Sequence, residues 1–108
     1  MAAKVYISSR ARDVARLIHE RKAFNTYGAL RADAFEPGNA HGTTGQLNDT
    51  ERNAFYADIG RIVYIVYSYT TPIAWGLADG SAHIVEQKFS PTTGRHQSKL
   101  YLLKESEQ

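Results

Sequence analysis

From Ile62 to Tyr69 nearly every position is β-branched or aromatic, and the apolar side chains fall on both faces of an extended chain. Ile62, Tyr64 and Val66 would share one face, and Val63, Ile65, Tyr67 and Tyr69 the other. A strand that is apolar on one face can lie on a core with its back to water; this one needs cover on both sides. The pattern therefore predicts an interior strand over 62–70, which Pro72 interrupts or ends. Two alternating runs follow, at 72–78 and 81–89, separated by Asp79-Gly80, a strong hairpin signal. A two-residue turn there sets Trp75 opposite Ile84 and Leu77 opposite Ala82, and points His83 toward Gly76.

Elsewhere the period lengthens. Val14, Leu17 and Ile18, with Ala11 beside them, recur at helical spacing within "SSRARDVARLIHERKAF", so a helix is predicted over 9–24 with Ser8 or Ser9 as its N-cap. Arg12, Arg16 and His19 fall on the opposite side, where Asp13 and Glu20 are spaced to pair with Arg16. A second helix is predicted over 49–58, capped by Asn48 or Asp49, with Asn48 and Glu51 at capping-box spacing and Gly60 placed to end it. Its apolar pair is Phe55 and Ile59. "KVYIS" suggests a short strand and "FNTYGALRADAF" an extended segment. "EPGNAHGTTGQ" has the composition of a mobile surface loop; its glycines and threonines do not have the spacing of a phosphate-binding loop.

These elements predict a single α+β domain spanning 1–108, with a small antiparallel sheet of three or four strands packed by two or three helices. "SPTTGRHQSKLYLL" completes it in one of two ways. Thr92 or Thr93 caps a final helix carrying His96, Leu100 and Leu103 on one stripe, or Ser98 to Leu103 forms a last strand. The helix is preferred, and its free N–H groups beside the threonines, Arg95 and His96 would suit an anion; the competing explanation is that the threonines only cap it.

Composition narrows the chemistry. The chain has no cysteine, so disulfides and thiolate metal sites are excluded. Its four histidines, at 19, 41, 83 and 96, have no metal-ligand spacing, and no nucleophile–base–carboxylate set is recognisable. No cofactor and no metal are expected, and the protein is expected not to be an enzyme. No apolar run is long enough to span a bilayer, and no signal-like stretch opens the chain. A soluble, cytoplasmic protein without membrane contact is the expectation. Net charge is +2, but it is unevenly spread. Residues 1–25 set Lys4, Arg10, Arg12, Arg16, Arg21 and Lys22 against Asp13 and Glu20, a net of +4, and 33–58 carry a net of −4. Two docking chemistries follow: a protein partner held by tyrosine and arginine anchors, or nucleic acid held by a basic patch of Arg12, Arg16, His19 and Lys22 together with Arg95. Edge strands leave a homo-oligomer open.

Two segments, "YSYTTPIAW" at 67–75 and "FSPTTGRHQSK" at 89–99, resemble a family of small, uncharacterised phage-encoded proteins common in actinobacteriophages. Tyr67, Ser68, Tyr69, Thr71, Pro72, Ile73 and Ala74 fit the family's first motif. Ser90, Thr92, Thr93, Arg95, His96 and Gln97 fit its second; Gly94 stands where the family usually has serine. The resemblance carries no established activity. It implies a phage accessory protein in the host cell cytoplasm, acting on a host or phage protein. It also implies that the two polar segments meet, so that Tyr69, Thr71, Thr92, Thr93, Arg95, His96 and Gln97 form the candidate binding site.

Overall fold

The computed structural model describes residues 5–7, 12–26 and 30–87. Strands β1 (Val5–Ile7), β2 (Phe24–Thr26), β3 (Leu30–Ala34), β4 (Ile62–Ser68), β5 (Thr71–Leu77) and β6 (Ala82–Ile84) form one six-stranded sheet in the order of the chain. Every adjacent pair from β2 to β6 is antiparallel, whereas β1 runs parallel to β2. A parallel neighbour needs a crossover, and helix α1 (Arg12–His19) supplies it. The fold is thus α+β with a small sheet, but the sheet is larger than the three or four strands expected. The additional strands are β1, where "KVYIS" suggests a short strand, and β2 and β3, both within the segment expected to be extended.

The doubly apolar strand does receive cover on both faces. On one, Val14, Leu17 and Ile18 of α1 pack against Phe24, Leu30, Ala32, Tyr64, Val66, Ile73 and Ala74. On the other, Phe55 of helix α2 (Asp49–Asp58) and Leu47 pack against Ile62, Ile65, Tyr67, Trp75, Leu77 and Val85. Simple alternation misassigns Ile62. The β4–β5 register shifts between Ile62 and Tyr64, so Val63 is an extra residue and Ile62 joins the face of Ile65 and Tyr67. A second shift, at Ile73, lies beside Pro72. That proline sits within β5, opposite Tyr67, rather than ending the sheet.

Several boundaries differ from the sequence expectation: β4 ends at Ser68 instead of 70, β6 ends at Ile84 so that 85–87 are not strand, and both helices are terminated differently. Helix α1 stops at His19, and Phe24 belongs to β2. The stop is a Schellman arrangement: the Lys22 amide donates to the Leu17 carbonyl and the Arg21 amide to the Ile18 carbonyl, with Arg21 in the left-handed region at φ 57°. Glycine normally takes that position; here arginine does, because its guanidinium is used elsewhere. It donates to the carbonyls of Leu77, Gly80 and Ser81, each at 2.8 Å, and so ties the end of α1 to the β5–β6 hairpin. Gly76 leaves room for it, since a Cβ there would lie 2.8 Å from the guanidinium carbon. Gly60, expected to end α2, lies instead within a 3-10 turn, Ile59–Arg61, that leads into β4.

The hairpin itself is longer by one residue than expected. Trp75 pairs with His83 and Gly76 with Ala82, and Ser81 closes onto Leu77, so the connection is Ala78-Asp79-Gly80 with Gly80 at φ 95°. This is the three-residue hairpin with a left-handed glycine. The Ser81 hydroxyl and amide donate to Asp79 Oδ1 at 2.5 and 2.9 Å, which holds the Asp79 carboxyl below its usual range. One added residue reverses every side chain of β6 relative to the expected register. His83 therefore faces Trp75, not Gly76.

Two predictions follow from this packing. Gly76→Ala displaces the Arg21 guanidinium, and it and Arg21→Ala should each lower unfolding stability by about 1–2 kcal/mol. Because both remove the same clamp, the double variant should cost little more than either one, as denaturant titration would measure. The second concerns buried phenols. Burial raises the pKa of both Tyr64 and Tyr67; Tyr64 donates to the Lys22 carbonyl at 2.8 Å, and the Arg31 guanidinium only partly offsets the shift at Tyr67. The folded protein thus keeps protons that the unfolded chain releases above about pH 10. Stability should be unaffected by these groups below that pH. Above it, stability should fall by up to about 1.4 kcal/mol per pH unit for each tyrosine. Absorbance titration should find the Tyr64 and Tyr67 phenols still protonated above the usual tyrosine range.

Candidate functional site

Of the residues singled out from sequence, Thr92, Thr93, Arg95, His96 and Gln97 lie outside the described residues, as does the expected C-terminal helix or strand. Tyr69 and Thr71 are described, and they differ. Tyr69 forms the β4–β5 turn with Thr70, between the paired Ser68 and Thr71. It is 57% exposed and holds φ 58°, a conformation a bulky L-residue rarely adopts. Thr71 is buried, and its Oγ1 accepts the Gln46 amide at 2.8 Å. Its hydroxyl positions a loop rather than facing a ligand.

That loop, expected to be a mobile excursion, is docked on the sheet. The Thr43 hydroxyl donates to the Thr70 carbonyl at 2.5 Å, and Leu47 is buried. Glycine permits the approach at two points: a Cβ on Gly42 would overlap the Tyr67 hydroxyl, and one on Gly45 would overlap the Thr71 hydroxyl. The Gln87 side chain fastens the far end, donating to the Gln46 carbonyl at 2.9 Å and accepting the Asn48 amide at 2.8 Å. Neither 37–48 nor 62–78 contains Asp, Glu, Lys or Arg. The Tyr69 turn and its supporting loop are thus an uncharged surface of threonine, glycine and one projecting aromatic ring.

The basic patch is only partly assembled. Arg12 begins α1, Arg16 and His19 are exposed along it, and Lys22 is exposed just beyond its end. Arg21, from the same basic segment, turns inward to the hairpin carbonyls. A further cation, Arg31, lies 4.0 Å above the Tyr67 ring and pairs with Asp33 at 2.7 Å. Neither arginine adds to the patch.

Sequence reasoning missed a second cluster, on the α2 face of the sheet. Asn48 caps α2 by accepting the Glu51 amide at 2.9 Å, but the reciprocal half of the expected capping box is absent. The Glu51 carboxylate instead reaches β6 and the residues after it: Oε1 lies 2.7 Å from His83 Nε2, and Oε2 accepts the Glu86 amide at 3.1 Å. The His83 ring stacks on Trp75, with centroids 4.6 Å apart and planes 20° from parallel. Trp75 is fixed in turn: its Nε1 donates to Asp58 Oδ2 at 2.9 Å, and Phe55 meets it edge-on at 5.1 Å. Asp58 also pairs with Arg61 at 2.9 Å. Glu51 and His83 are 32 residues apart, and a one-residue error in hairpin register was enough to hide their meeting.

Among the described residues no three His, Asp or Glu side chains converge closely enough to hold a metal ion, and no helix is long and apolar enough to cross a membrane. No curated protein and no solved structure matches the chain. Residues 14–108 do match a family model, and the chain belongs to that family, described as a family of unknown function (DUF8033).

Proposed function

We propose that this protein is a binding module that docks on another protein through the Tyr69 turn. One observation carries the reading. Among the described residues an exposed position with left-handed backbone is occupied by a projecting tyrosine, and an uncharged loop is hydrogen-bonded beneath it. Backbone strain of this kind costs about 1–3 kcal/mol and persists where surrounding structure enforces it. Tyrosine is an effective interface anchor because it offers large amphipathic area at low rotamer cost, and a ring held in place before binding loses little entropy on docking. The resemblance of the 67–75 segment to phage proteins supports the wider proposal of a phage accessory protein working in the bacterial cytoplasm on a host or phage protein. Nothing in this reading requires catalysis.

A second reading, nucleic-acid binding, is favoured by the exposed Arg16, His19 and Lys22 at α1. Such binding would be dominated by phosphate contacts and would weaken steeply with salt.

The two readings separate in one set of variants. Tyr69→Gly removes the ring and relieves the left-handed backbone, so its thermal midpoint should equal or exceed that of the parent. The same variant should lose capture of partner protein from bacterial lysate, by about tenfold or more in affinity once the partner is purified, while Lys22→Ala should retain it. Fluorescence anisotropy with labelled DNA and RNA across a salt series tests the alternative. Salt-sensitive binding lost in Arg16→Ala but kept in Tyr69→Gly would move the function to the basic patch.

A further inference from the structure

We infer that Glu51 and His83 form a reactive dyad, with His83 Nδ1 presented to solvent as a nucleophile toward small activated acyl esters. This inference stands apart from the Tyr69 reading and is carried by different residues. Loss of partner binding would not touch it, and its failure would not touch the binding surface.

The argument rests on how fully the imidazole is specified. A histidine with one nitrogen hydrogen-bonded to a carboxylate is held as a single tautomer, with its proton on that nitrogen and a lone pair on the other. Here Glu51 Oε1 takes the Nε2 position at 2.7 Å, which leaves the lone pair on Nδ1. Among the described residues His83 has no second hydrogen-bond partner and no buried side-chain nitrogen or oxygen lacks one, so Nδ1 is not sealed from water. The side chain is 35% exposed, whereas its Glu51 partner is only 11% exposed and is itself oriented by the Glu86 amide. Stacking on Trp75 fixes the ring plane, and Asp58 fixes Trp75. A nucleophile oriented by a base, with a third group orienting that base, is the arrangement that activates weak side-chain nucleophiles. In this protein the carboxylate acts directly on the imidazole that would attack.

The chemistry balances without a cofactor. The Nδ1 lone pair attacks the acyl carbonyl carbon, and the C–O bond to the leaving group breaks, its electron pair departing with the alkoxide or phenolate. The acyl-imidazolium that forms carries a positive charge beside the Glu51 carboxylate, which stabilises it through the Nε2–H. Water then attacks the acyl carbon and gives up one proton to solvent or to the departed alkoxide, the C–N bond breaks back to Nδ1, and the carboxylic acid releases its remaining proton to solvent. His83 is the catalytic residue in this scheme, and Glu51 is a positioning residue.

The test uses p-nitrophenyl acetate and the whole chain, followed by p-nitrophenolate release. His83→Gln should lower the rate about tenfold or more, to the background of the other histidines. Glu51→Gln should lower kcat with KM unchanged, a split that mere loosening of the fold would not produce. His41→Gln is the control, since His41 is exposed and its ring meets Phe35 edge-on at 5.3 Å. An unchanged rate in His83→Gln, or an equal loss in His41→Gln, would overturn the inference. Near-UV circular dichroism of Trp75 reports whether the variants keep the fold. Should His83→Gln fail to fold, diethyl pyrocarbonate labelling of the unaltered protein, mapped by mass spectrometry, decides the matter. Faster carbethoxylation at His83 than at His41 supports the dyad, and equal or slower labelling refutes it.

Discussion

The structure turns on the need to cover β4 and β5 on both faces. Tyr64, Ile65, Val66, Tyr67, Ile73, Ala74 and Trp75 are all essentially buried, although they belong to two adjacent strands of one sheet. Each large apolar side chain taken from water contributes about 1.5–3 kcal/mol, so leaving either face open would forfeit a sizeable part of a small domain's stability. A chain of this length therefore needs material on both sides, and it divides what it has. Helix α1 covers one face; α2 and the docked loop around Thr43 and Leu47 cover the other. The two buried phenols follow from the same constraint, because a hydroxyl carried into such a layer must find a partner. Tyr64 finds the carbonyl of Lys22, just past the end of α1.

Among the described residues two non-glycine positions hold left-handed backbone, and their surroundings differ instructively. At Arg21 the strain is offset inside the molecule by three hydrogen bonds to hairpin carbonyls. At Tyr69 the loop beneath enforces the turn through Thr70 and Thr71, yet the tyrosine ring itself projects into solvent. The first arrangement is accounted for by folding. The second leaves an exposed aromatic ring on a constrained turn, and the proposed binding reading begins there.

The Glu51 cluster shows how one hydrogen bond redirected at a helix terminus changes the chemistry available. In a closed capping box the Glu51 carboxylate would return to the Asn48 amide. Gln87 takes that amide instead, so the carboxylate is released to His83 and to the Glu86 amide. Helix cap, hairpin register and the residues after β6 thus determine one another.

The sequence alone determined the elements with strong periodicity: α2 with a cap at Asn48 or Asp49, the doubly covered β4, and the existence of a hairpin around Asp79-Gly80. It also suggested an extended segment over 24–35, where 24–26 and 30–34 are strand, and a loop over 36–46. Local pattern could not count the strands, because β1, β2 and β3 gain their pairing from neighbours remote in the chain. Nor could it locate the end of α1, since arginine occupies a position where only tertiary hydrogen bonds make it tolerable. The bulge at Val63 and the third residue of the 78–80 connection were equally hidden, and each moves side chains from one face to the other. Of the candidate site, Tyr69 was singled out by the resemblance of 67–75, although the apolar pattern placed it within the strand and not in the turn beyond Ser68. Its left-handed backbone, the engagement of Thr71 and the meeting of Glu51 with His83 were decided only by the tertiary structure. Each depends on register between segments tens of residues apart, and a single-residue shift in a strand reverses which face a side chain occupies.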